Sequence, residues 1–449
     1  MLNQSISPLF EVWGTVTRIV SGAIEIEGVS SFACVGDDIE IRKPGRKVLG
    51  EILSVTRTQI MALLYSTADD VRIGDVAYIR REATVRVSDD WLGEIVNYRG
   101  EIHGGTQPAS SSPIRQQLYA PAPQAHLRRS LGARLRTGYM VTDTLLPICK
   151  GQRIGLFAGS GVGKSTLLGN LSRNVAADRI VIALIGERSR EVIEFARKTL
   201  TPELQKKAVI VAATSSEPPG AKKRAAYTAM AAAEHFRDAG HDVLFVFDSL
   251  TRFAEAHRET ALMAGEQPAL NAFPPSTNRV IAELTERAGP GIEGQGDITG
   301  IFSVLVAGSD MEEPVPDMIR GILDGHIVLA RDIAERGRYP AIDVARNVSR
   351  ALPGAASADE NQLLHEYRRM LTLYEEVAPM LRANLYEFGQ DLETDRAVKL
   401  YARIDHFVSQ KNEEDPAAAF DLLRRVLQPE NAATDGEPSE AIIPSDKAA

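Results

Sequence analysis

Short runs that alternate apolar and polar residues dominate the first 80 positions of the chain. Ile24-Glu25-Ile26-Glu27 is one example, and glycine or aspartate turns separate the runs. This period of two is typical of strands with one buried face. The predicted strands are Val12–Val20, Ala23–Glu27, Asp38–Ile41, Leu49–Val55, Ile60–Leu64 and Val76–Ile79. Six short strands predict a small closed β-barrel over residues 11–82, which leaves no exposed strand edge.

The pattern changes after residue 83. Residues 83–130 are predicted to form a connection, because the stretch from Thr106 to Gln124 is rich in proline, serine and alanine. Between residues 131 and 352, continuous apolar runs alternate with helical segments, which is typical of a mainly parallel sheet buried on both faces. The predicted strands are Ile154–Phe157, Ile180–Ile185, Ala208–Ala213, Val243–Phe247, Ile301–Val306 and His326–Leu329, and the predicted helices are Arg190–Leu200, Ala221–Ala239 and Ser276–Arg287. The pattern therefore predicts an α/β domain whose ligand site lies at the carboxyl ends of the strands.

Helical spacing alone remains after Pro353. It predicts a helical domain over residues 353–427, with helices Leu363–Ala378, Met380–Phe388, Arg396–Gln410 and Pro416–Leu427. Residues 428–449 are acidic and lack a core-forming pattern, so we expect them to be disordered. Residues 1–10 form only a short segment before the first predicted strand.

Composition adds limits to this architecture. The 449 residues are 44% hydrophobic and 25% charged, as in soluble proteins of several domains. The net charge of -9 disfavours a protein whose main task is to bind nucleic acid. Cys34 and Cys149 lie far apart, which suits a reducing compartment and gives neither a disulfide framework nor a zinc site. With no signal peptide and no apolar run near the ~20 residues that cross a bilayer, we expect a cytoplasmic protein with no integral membrane segment.

A glycine-spaced turn between a predicted strand and a helix is the strongest chemical signal. Residues 158–166 read Ala-Gly-Ser-Gly-Val-Gly-Lys-Ser-Thr. Glycines let backbone N–H groups surround a phosphate, and the helix N-terminus adds partial positive charge. The pattern predicts ATP binding rather than an ordinary glycine-rich turn, although Ala158 stands where the strict motif has glycine. The predicted nucleotide-binding residues are Gly159, Ser160, Gly161, Val162, Gly163, Lys164, Ser165 and Thr166.

Two of the strands deliver carboxylates to the same edge of the sheet. Asp248 ends one strand and is predicted, with the Ser165 hydroxyl, to hold Mg²⁺; the alternative is that it caps the following helix. Hydrolysis also needs a group that orients water, and Glu187 at the end of Ile180–Ile185 is the best candidate. The alternative for Glu187 is a surface ion pair with Arg188 or Arg190, and Arg188 could instead position Glu187 or contact phosphate.

Two residues near the end of the α/β block complete the candidates. Arg350 precedes the break at Pro353, where it could reach a nucleotide bound by a neighbouring subunit. Tyr339 could offer its ring to adenine, or it could be an ordinary core tyrosine.

In this order the motifs resemble those of the rotary ATPase catalytic β-subunit superfamily, and within it those of the flagellar and type III secretion export ATPases. The residues that carry the resemblance lie in segments 155–166, 186–191, 247–252, 273–276, 286–289, 323–329 and 339–343. The resemblance implies a RecA-like core between a β-barrel and a helical domain, assembled as a homohexamer with nucleotide at subunit interfaces. It implies that Lys164 contacts phosphate and Glu187 activates water. It also implies that Arg350 acts on the neighbouring subunit's nucleotide and that Tyr339 lies near adenine.

The same resemblance implies the partners of the ring. These are a central stalk protein, chaperone–substrate complexes, an export gate in the membrane and a regulatory or stator protein bound through the N-terminal region. The expected location is therefore the cytoplasmic face of the inner membrane. Because only about ten residues precede the first strand, with Ile6, Leu9 and Phe10 as possible anchors, the usual mode of regulator binding is in question.

The leading hypothesis is ATP hydrolysis that energises flagellar protein export. A virulence-type secretion ATPase would share the chemistry and differ in cargo. An RNA-dependent helicase motor would need a basic, aromatic N-terminal site, and residues 11–80 show none. A non-catalytic ring subunit is the remaining alternative, and Glu187 argues against it.

Overall fold

The computed structural model describes residues 11–20, 22–80, 83–103, 113–199, 201–269, 273–306 and 311–428. The predictions for the N-terminal segment 1–10 and for residues 429–449 of the acidic tail therefore lie outside the described residues.

The first six strands form the predicted closed barrel. Hydrogen bonding runs in the order β1-β2-β5-β4-β3-β6, and β6 pairs with β1 to close it. Every pair is antiparallel, so inward-facing apolar residues such as Val16, Ile26 and Ile52 fill one core. The strands are β1 Trp13–Val20, β2 Ala23–Glu27, β3 Asp38–Lys43, β4 Arg46–Val55, β5 Gln59–Leu64 and β6 Val76–Arg80.

The barrel docks on the rest of the chain through a polar junction. Arg224, which is 5% exposed, donates from Nη1 to Asp38 Oδ1 at 2.7 Å and to Tyr65 Oη at 2.9 Å. Tyr65 in turn donates to Asp38 at 3.0 Å. The buried arginine therefore has hydrogen-bond acceptors on two barrel residues, which fixes the barrel against the helix that carries Arg224.

The predicted connection contains regular structure. It forms β7 Thr84–Val87, β8 Ile95–Val96 and β9 Ile114–Gln117. β7 and β9 pair with each other, and β8 joins the edge of the central sheet. Leu118 is fully buried, and its carbonyl accepts a hydrogen bond from the buried Arg287. The stretch Thr106–Gln124, predicted to lie wholly on the surface, is thus partly built into the core.

The central sheet has eight strands in the order β16-β15-β10-β14-β13-β11-β12-β8 within the described residues. The remaining strands are β10 Arg153–Ala158, β11 Arg179–Glu187, β12 Ala208–Thr214, β13 Val243–Asp248, β14 Ile298–Leu305, β15 Gly325–Leu329 and β16 Val348–Ser349. All neighbours are parallel except β15 and β16. The carboxyl ends of the parallel strands therefore meet at one edge, as the apolar runs predict.

Helices cover both faces of this sheet. One face packs on α5 Pro219–Asp238, α6 Leu250–Met263, α7 Ser276–Glu286 and α8 Pro314–Ile322. The other packs on α1 Met140–Asp143, α2 Lys164–Asn174, α3 Ser189–Thr199 and α4 Pro202–Gln205, and a short α9 Arg331–Glu335 follows β15. Successive residues of β11 alternate between the two cores, Val181 into one and Ile182 into the other.

The C-terminal helices are α10 Ala358–Arg382, α11 Leu392–Ser409 and α12 Pro416–Leu427. The two helices predicted on either side of Pro379 are one helix, because this proline lies in the last turn of α10 and the backbone continues to Arg382. Residues 383–391, partly predicted as helix, form the turn to α11. Apart from this helix and the structured connection, the predicted arrangement of barrel, α/β core and helical C-terminal region is confirmed.

Across the described parts of the chain, no helix combines the length and apolar character needed to cross a membrane.

Candidate active site

The glycine turn leaves β10 at Ala158 and enters α2 at Lys164. Gly161 and Gly163 have φ of 80° and 90°, a backbone conformation that favours glycine. Ala158 still belongs to the strand and pairs with Leu305 and Leu329, so a side chain is tolerated at this position. The turn thus ends at the N-terminus of an 11-residue helix, which is favourable for binding phosphate.

Lys164 lies among carboxylates from two other strands. Its ammonium forms an ion pair with Oδ1 of Asp248 at the end of β13, and its Nζ lies 3.9 Å from Oε1 of Glu187 at the end of β11. All three side chains are largely buried, with at most 17% of their surface exposed. The parallel sheet therefore brings together the three residues predicted for phosphate, metal and water.

Ser303 is a further member of this group that sequence reasoning missed. It lies on β14, the strand between β10 and β13, and its fully buried hydroxyl donates to Asp248 Oδ1 at 2.5 Å. The only signal in the sequence is a hydroxyl inside the apolar run Ile301–Leu305. The hydrogen bond fixes the orientation of the Asp248 carboxylate.

The electrostatics of Glu187 differ from those of a surface carboxylate. Burial, and after it the nearby charge of Asp248, raise the pKa of Glu187 to about 7, although the charge of Lys164 acts in the opposite direction. A buried acid with a strongly shifted pKa at the end of a sheet strand is typical of functional sites.

Ser165, Glu187 and Asp248 line one cavity of about 520 Å³ between α2 and α3. A serine hydroxyl and an oriented carboxylate are oxygen ligands of the kind that Mg²⁺ prefers. Asp248 does not cap the following helix, because Ser249 is the N-cap residue of α6. These residues therefore fit a Mg²⁺ ion bound with phosphate.

Tyr339 lies on the other side of the glycine turn. Its ring carbons Cδ1 and Cε1 lie 3.5 Å from the point that a Cβ on Gly163 would occupy. The residue is 52% exposed, so it is not a core tyrosine. An exposed ring next to the phosphate-binding turn can offer one face to a flat ligand.

The structure does not bring Arg188 and Arg350 to the turn. Arg188 is exposed and pairs with Glu191 at 3.3 Å rather than with Glu187. Arg350 is exposed and directly follows β16. Its backbone N–H donates to the carbonyl of Asp324, the residue before β15. This end of β15 is the one opposite to the glycine turn. Within one subunit Arg350 is therefore remote from Lys164.

The remaining residues of the turn differ in exposure. Val162 is buried, whereas Ser160 and Thr166 are exposed. The Ser160 carbonyl accepts a hydrogen bond from Arg331 Nη2 at 3.4 Å, a contact that sequence reasoning did not anticipate.

A parallel sheet that ends in a glycine turn, lysine, serine and two buried acids defines a P-loop ATPase. Residues 138–349 match the nucleotide-binding domain of the ATP synthase alpha/beta family, and residues 356–424 match the C-terminal domain of the EscN-type secretion ATPases.

Full-length relatives agree with these matches. The chain is 39% identical to the flagellum-specific ATP synthase of Caulobacter vibrioides, over 95% of this chain and 98% of that protein. It is 41% identical to the enzyme of that name in Treponema pallidum, over 89% of both. The solved structure of the assembled ATPase EscN of enteropathogenic E. coli superimposes with a TM-score of 0.86 at 35% identity, covering 92% of this chain and all of that one. The chain belongs to the family of flagellum-specific ATP synthases and type III secretion ATPases.

Proposed function

We propose that this chain hydrolyses ATP within a homohexameric ring and energises the export of flagellar proteins through a type III apparatus. The single observation that carries the proposal is the convergence of Lys164, Asp248 and Glu187 at the end of the phosphate-binding turn. The extensive similarity to flagellum-specific ATP synthases supports the flagellar system. A virulence-type system remains the alternative, since EscN belongs to one.

Each side chain has a chemical task in this proposal. Lys164 contacts the β- and γ-phosphates, and Ser165 and Asp248 hold Mg²⁺. The metal, when bound, would neutralise charge on the phosphate oxygens. Glu187 orients and deprotonates the attacking water, for which a pKa raised to about 7 is well suited. Arg188 directly follows Glu187 and is exposed, and in this proposal it leaves Glu191 to contact phosphate when nucleotide binds.

The position of Arg350 supports a site shared between subunits. Because it is exposed and remote from its own Lys164, it can serve a nucleotide only on a neighbouring copy. EscN has been solved as an assembled ATPase and in complex with its central stalk EscO, which supports a ring and a stalk partner here as well. We also propose an export gate and chaperone–substrate complexes as partners, a regulator bound through the N-terminal region, and a location at the cytoplasmic face of the inner membrane.

Mixing two inactive variants tests the shared site. We expect Glu187→Gln and Arg350→Ala each to hydrolyse ATP at least about 100-fold more slowly than the wild type. Mixed rings contain interfaces with an intact Glu187 from one subunit and an intact Arg350 from the next, so the mixture should regain a measurable fraction of activity.

The matched control mixes Lys164→Ala with Glu187→Gln. Both changes lie on the same side of the interface, so no mixed interface is complete and no activity should return. Recovery that is equal in both mixtures, or absent from both, would contradict the assignment of Arg350. Substantial activity of Glu187→Gln alone would contradict the assignment of the base.

A further inference from the structure

The segment that carries Tyr339 is a closed turn, here called the Tyr339 turn (residues 330–342). It leaves the end of β15 and returns beside it, since Ala330 N–H donates to the Ala341 carbonyl at 2.8 Å and Leu329 bridges to Ile342. The short helix α9 fills the turn, and Gly337, with φ of 78°, reverses the chain after it. The base of the turn is thus attached to the sheet, while Tyr339 projects towards Gly163.

Tyr339 is not held in place by burial, because half of it is exposed. Its orientation depends on the backbone on either side of it. The residue before it, Arg338, is much less exposed, with 12% of its side-chain surface accessible. The adjacent side chain is therefore the better anchor of this part of the turn.

Arg338 makes two hydrogen bonds and one ion pair. Its Nη2 donates to the Ile342 carbonyl at 3.0 Å and its Nη1 to the Pro340 carbonyl at 3.4 Å. Its Nε lies 3.0 Å from Oδ1 of Asp405, a residue of α11. A planar guanidinium can serve three acceptors in fixed directions, which a lysine ammonium on a flexible stem cannot do.

Two of the C-terminal helices, α10 and α11, interact with this guanidinium. Besides the pair with Asp405 on α11, the charge of Arg338 opposes the rise that burial causes in the pKa of Tyr367 on α10. Asp405 is 38% exposed, and an isolated pair of that kind adds little to global stability. Its effect is local, because it sets where the backbone next to Tyr339 lies.

We infer that Arg338 is a positioning residue for the Tyr339 ring, and that Asp405 on α11 holds Arg338, so that the C-terminal helices set the affinity of the ATPase for the nucleotide base. The inference rests on the proposed role of Tyr339 beside the base. It assigns to the helical region a contribution that acts on the base and not on the phosphates.

ADP and pyrophosphate share the two phosphates, but only ADP carries a nucleoside. Their affinities therefore separate a contact to the base from a contact to the phosphates. Calorimetric dissociation constants of the full chain for ADP and for pyrophosphate would be compared among Tyr339→Ala, Arg338→Leu, Arg338→Lys and Asp405→Asn. Tyr339→Ala should raise the dissociation constant for ADP about 10-fold, as expected for loss of a stacked ring. Arg338→Leu should raise it about 5-fold, and Arg338→Lys and Asp405→Asn about 3-fold. The dissociation constant for pyrophosphate should stay within about 2-fold of the wild-type value in all four variants.

The double variant Arg338→Leu/Asp405→Asn should bind ADP no more weakly than Arg338→Leu, because the two residues act in series. The control is Arg346→Leu. Within the described residues this exposed arginine forms its ion pair with Asp343, at 3.3 Å beside its own 3₁₀ turn, and ADP affinity should not change.

The outcomes are distinct. Wild-type affinity of Arg338→Leu for ADP, with Tyr339→Ala weakened, would overturn the inference and leave the proposed function intact. Equal weakening of ADP and pyrophosphate would show that Arg338 acts through the phosphate turn, which also overturns it. Unchanged affinity of Tyr339→Ala for ADP would contradict the proposed role of the Tyr339 ring, and it would overturn the inference that depends on this role.

Discussion

The ammonium of Lys164 and the carboxylate of Asp248 form a direct ion pair, although β14 separates the strands that deliver them. The pair is largely buried, with 12% and 5% of the two side chains exposed. Removal of one member leaves an uncompensated charge in a poorly solvated site. The pair therefore makes the phosphate-binding turn and β13 depend on each other.

This dependence predicts strong coupling between the two residues. Lys164→Met and Asp248→Asn should each lower the free energy of unfolding by about 3 kcal/mol, and the double variant should lose about 2 kcal/mol less than the sum. Denaturant unfolding of the three variants measures the coupling. The exposed pair Lys198–Glu194 on α3 is the control, with an expected coupling below about 0.5 kcal/mol. Additive effects at Lys164 and Asp248 would contradict the prediction.

Ser303→Ala removes a hydrogen bond to a charged acceptor. We expect it to lower the free energy of unfolding by about 2 kcal/mol, and Ser303→Thr, which keeps the hydroxyl, to lower it less. Ser172→Ala provides the comparison, because Ser172 is equally buried but donates to the neutral Leu168 carbonyl within α2. Its effect should stay below about 1 kcal/mol, since alanine also favours the helix. Equal losses at the two serines would show that the charge of Asp248 is irrelevant.

Two glycines of the same turn should respond differently to alanine. Gly163 has φ of 90° and faces the Tyr339 ring. Gly163→Ala should therefore lower the free energy of unfolding by about 1–2 kcal/mol and weaken nucleotide binding. Gly159 has no positive φ, and among the described residues a Cβ there would meet the Val306 carbonyl alone, at 3.7 Å. Gly159→Ala should therefore change the melting temperature by no more than about 2 °C. Thermal melts and ADP titrations of both variants check this contrast. A larger effect of Gly159→Ala than of Gly163→Ala would refute it.

Stability should fall in mild acid because of His257 on α6. Burial, and after it the charge of Lys223, lower the pKa of His257 to about 4. Its Nε2 donates at 2.8 Å to the Ser276 hydroxyl, which donates to Glu266. Its Nδ1 is buried and has no hydrogen-bond partner among the described residues, so the neutral ring, with a proton on Nε2 alone, is the form that fits. As the pH falls from about 6.5 towards 4, the unfolded chain binds a proton that the folded chain rejects. His257 alone should therefore remove on the order of 2–3 kcal/mol of stability across that window.

His257→Gln tests this pH dependence, since glutamine can donate to Ser276 but does not titrate. Its unfolding midpoint should change less between pH 7.5 and pH 5 than that of the wild type. The exposed His406→Gln variant should follow the wild type. Identical pH profiles for the wild type and His257→Gln would contradict the assignment.

Much of the framework is accessible from the sequence because it depends on local patterns. The apolar run predicted at Val243–Phe247 is β13, one residue longer, and the six predicted barrel strands all form. The glycine turn can be recognised in the sequence because backbone geometry fixes the spacing of its glycines. The catalytic roles of Glu187 and Arg350 stay predictions that the mixing experiment addresses.

The contacts that escaped prediction join residues distant in sequence. Nothing near Leu118 indicates that its carbonyl meets Arg287, and nothing near Arg338 indicates Asp405. The predicted break between Ala378 and Met380 is wrong for a different reason. A proline disturbs the helical turn before it, but α10 continues through Pro379 and ends three residues later.

The two outer strands of the central sheet, β8 and β16, are only two residues long. β16 covers only the first part of the outer edge of β15. The rest of that edge is covered by the returning Tyr339 turn and by Asn347, whose side-chain oxygen accepts from Val328 N–H. Within the described residues, little unpaired backbone therefore remains along β15 for a foreign strand. In the proposed ring, copies of the chain at high local concentration can therefore meet through side chains without exchanging strands, so assembly can stay reversible instead of leading to aggregation.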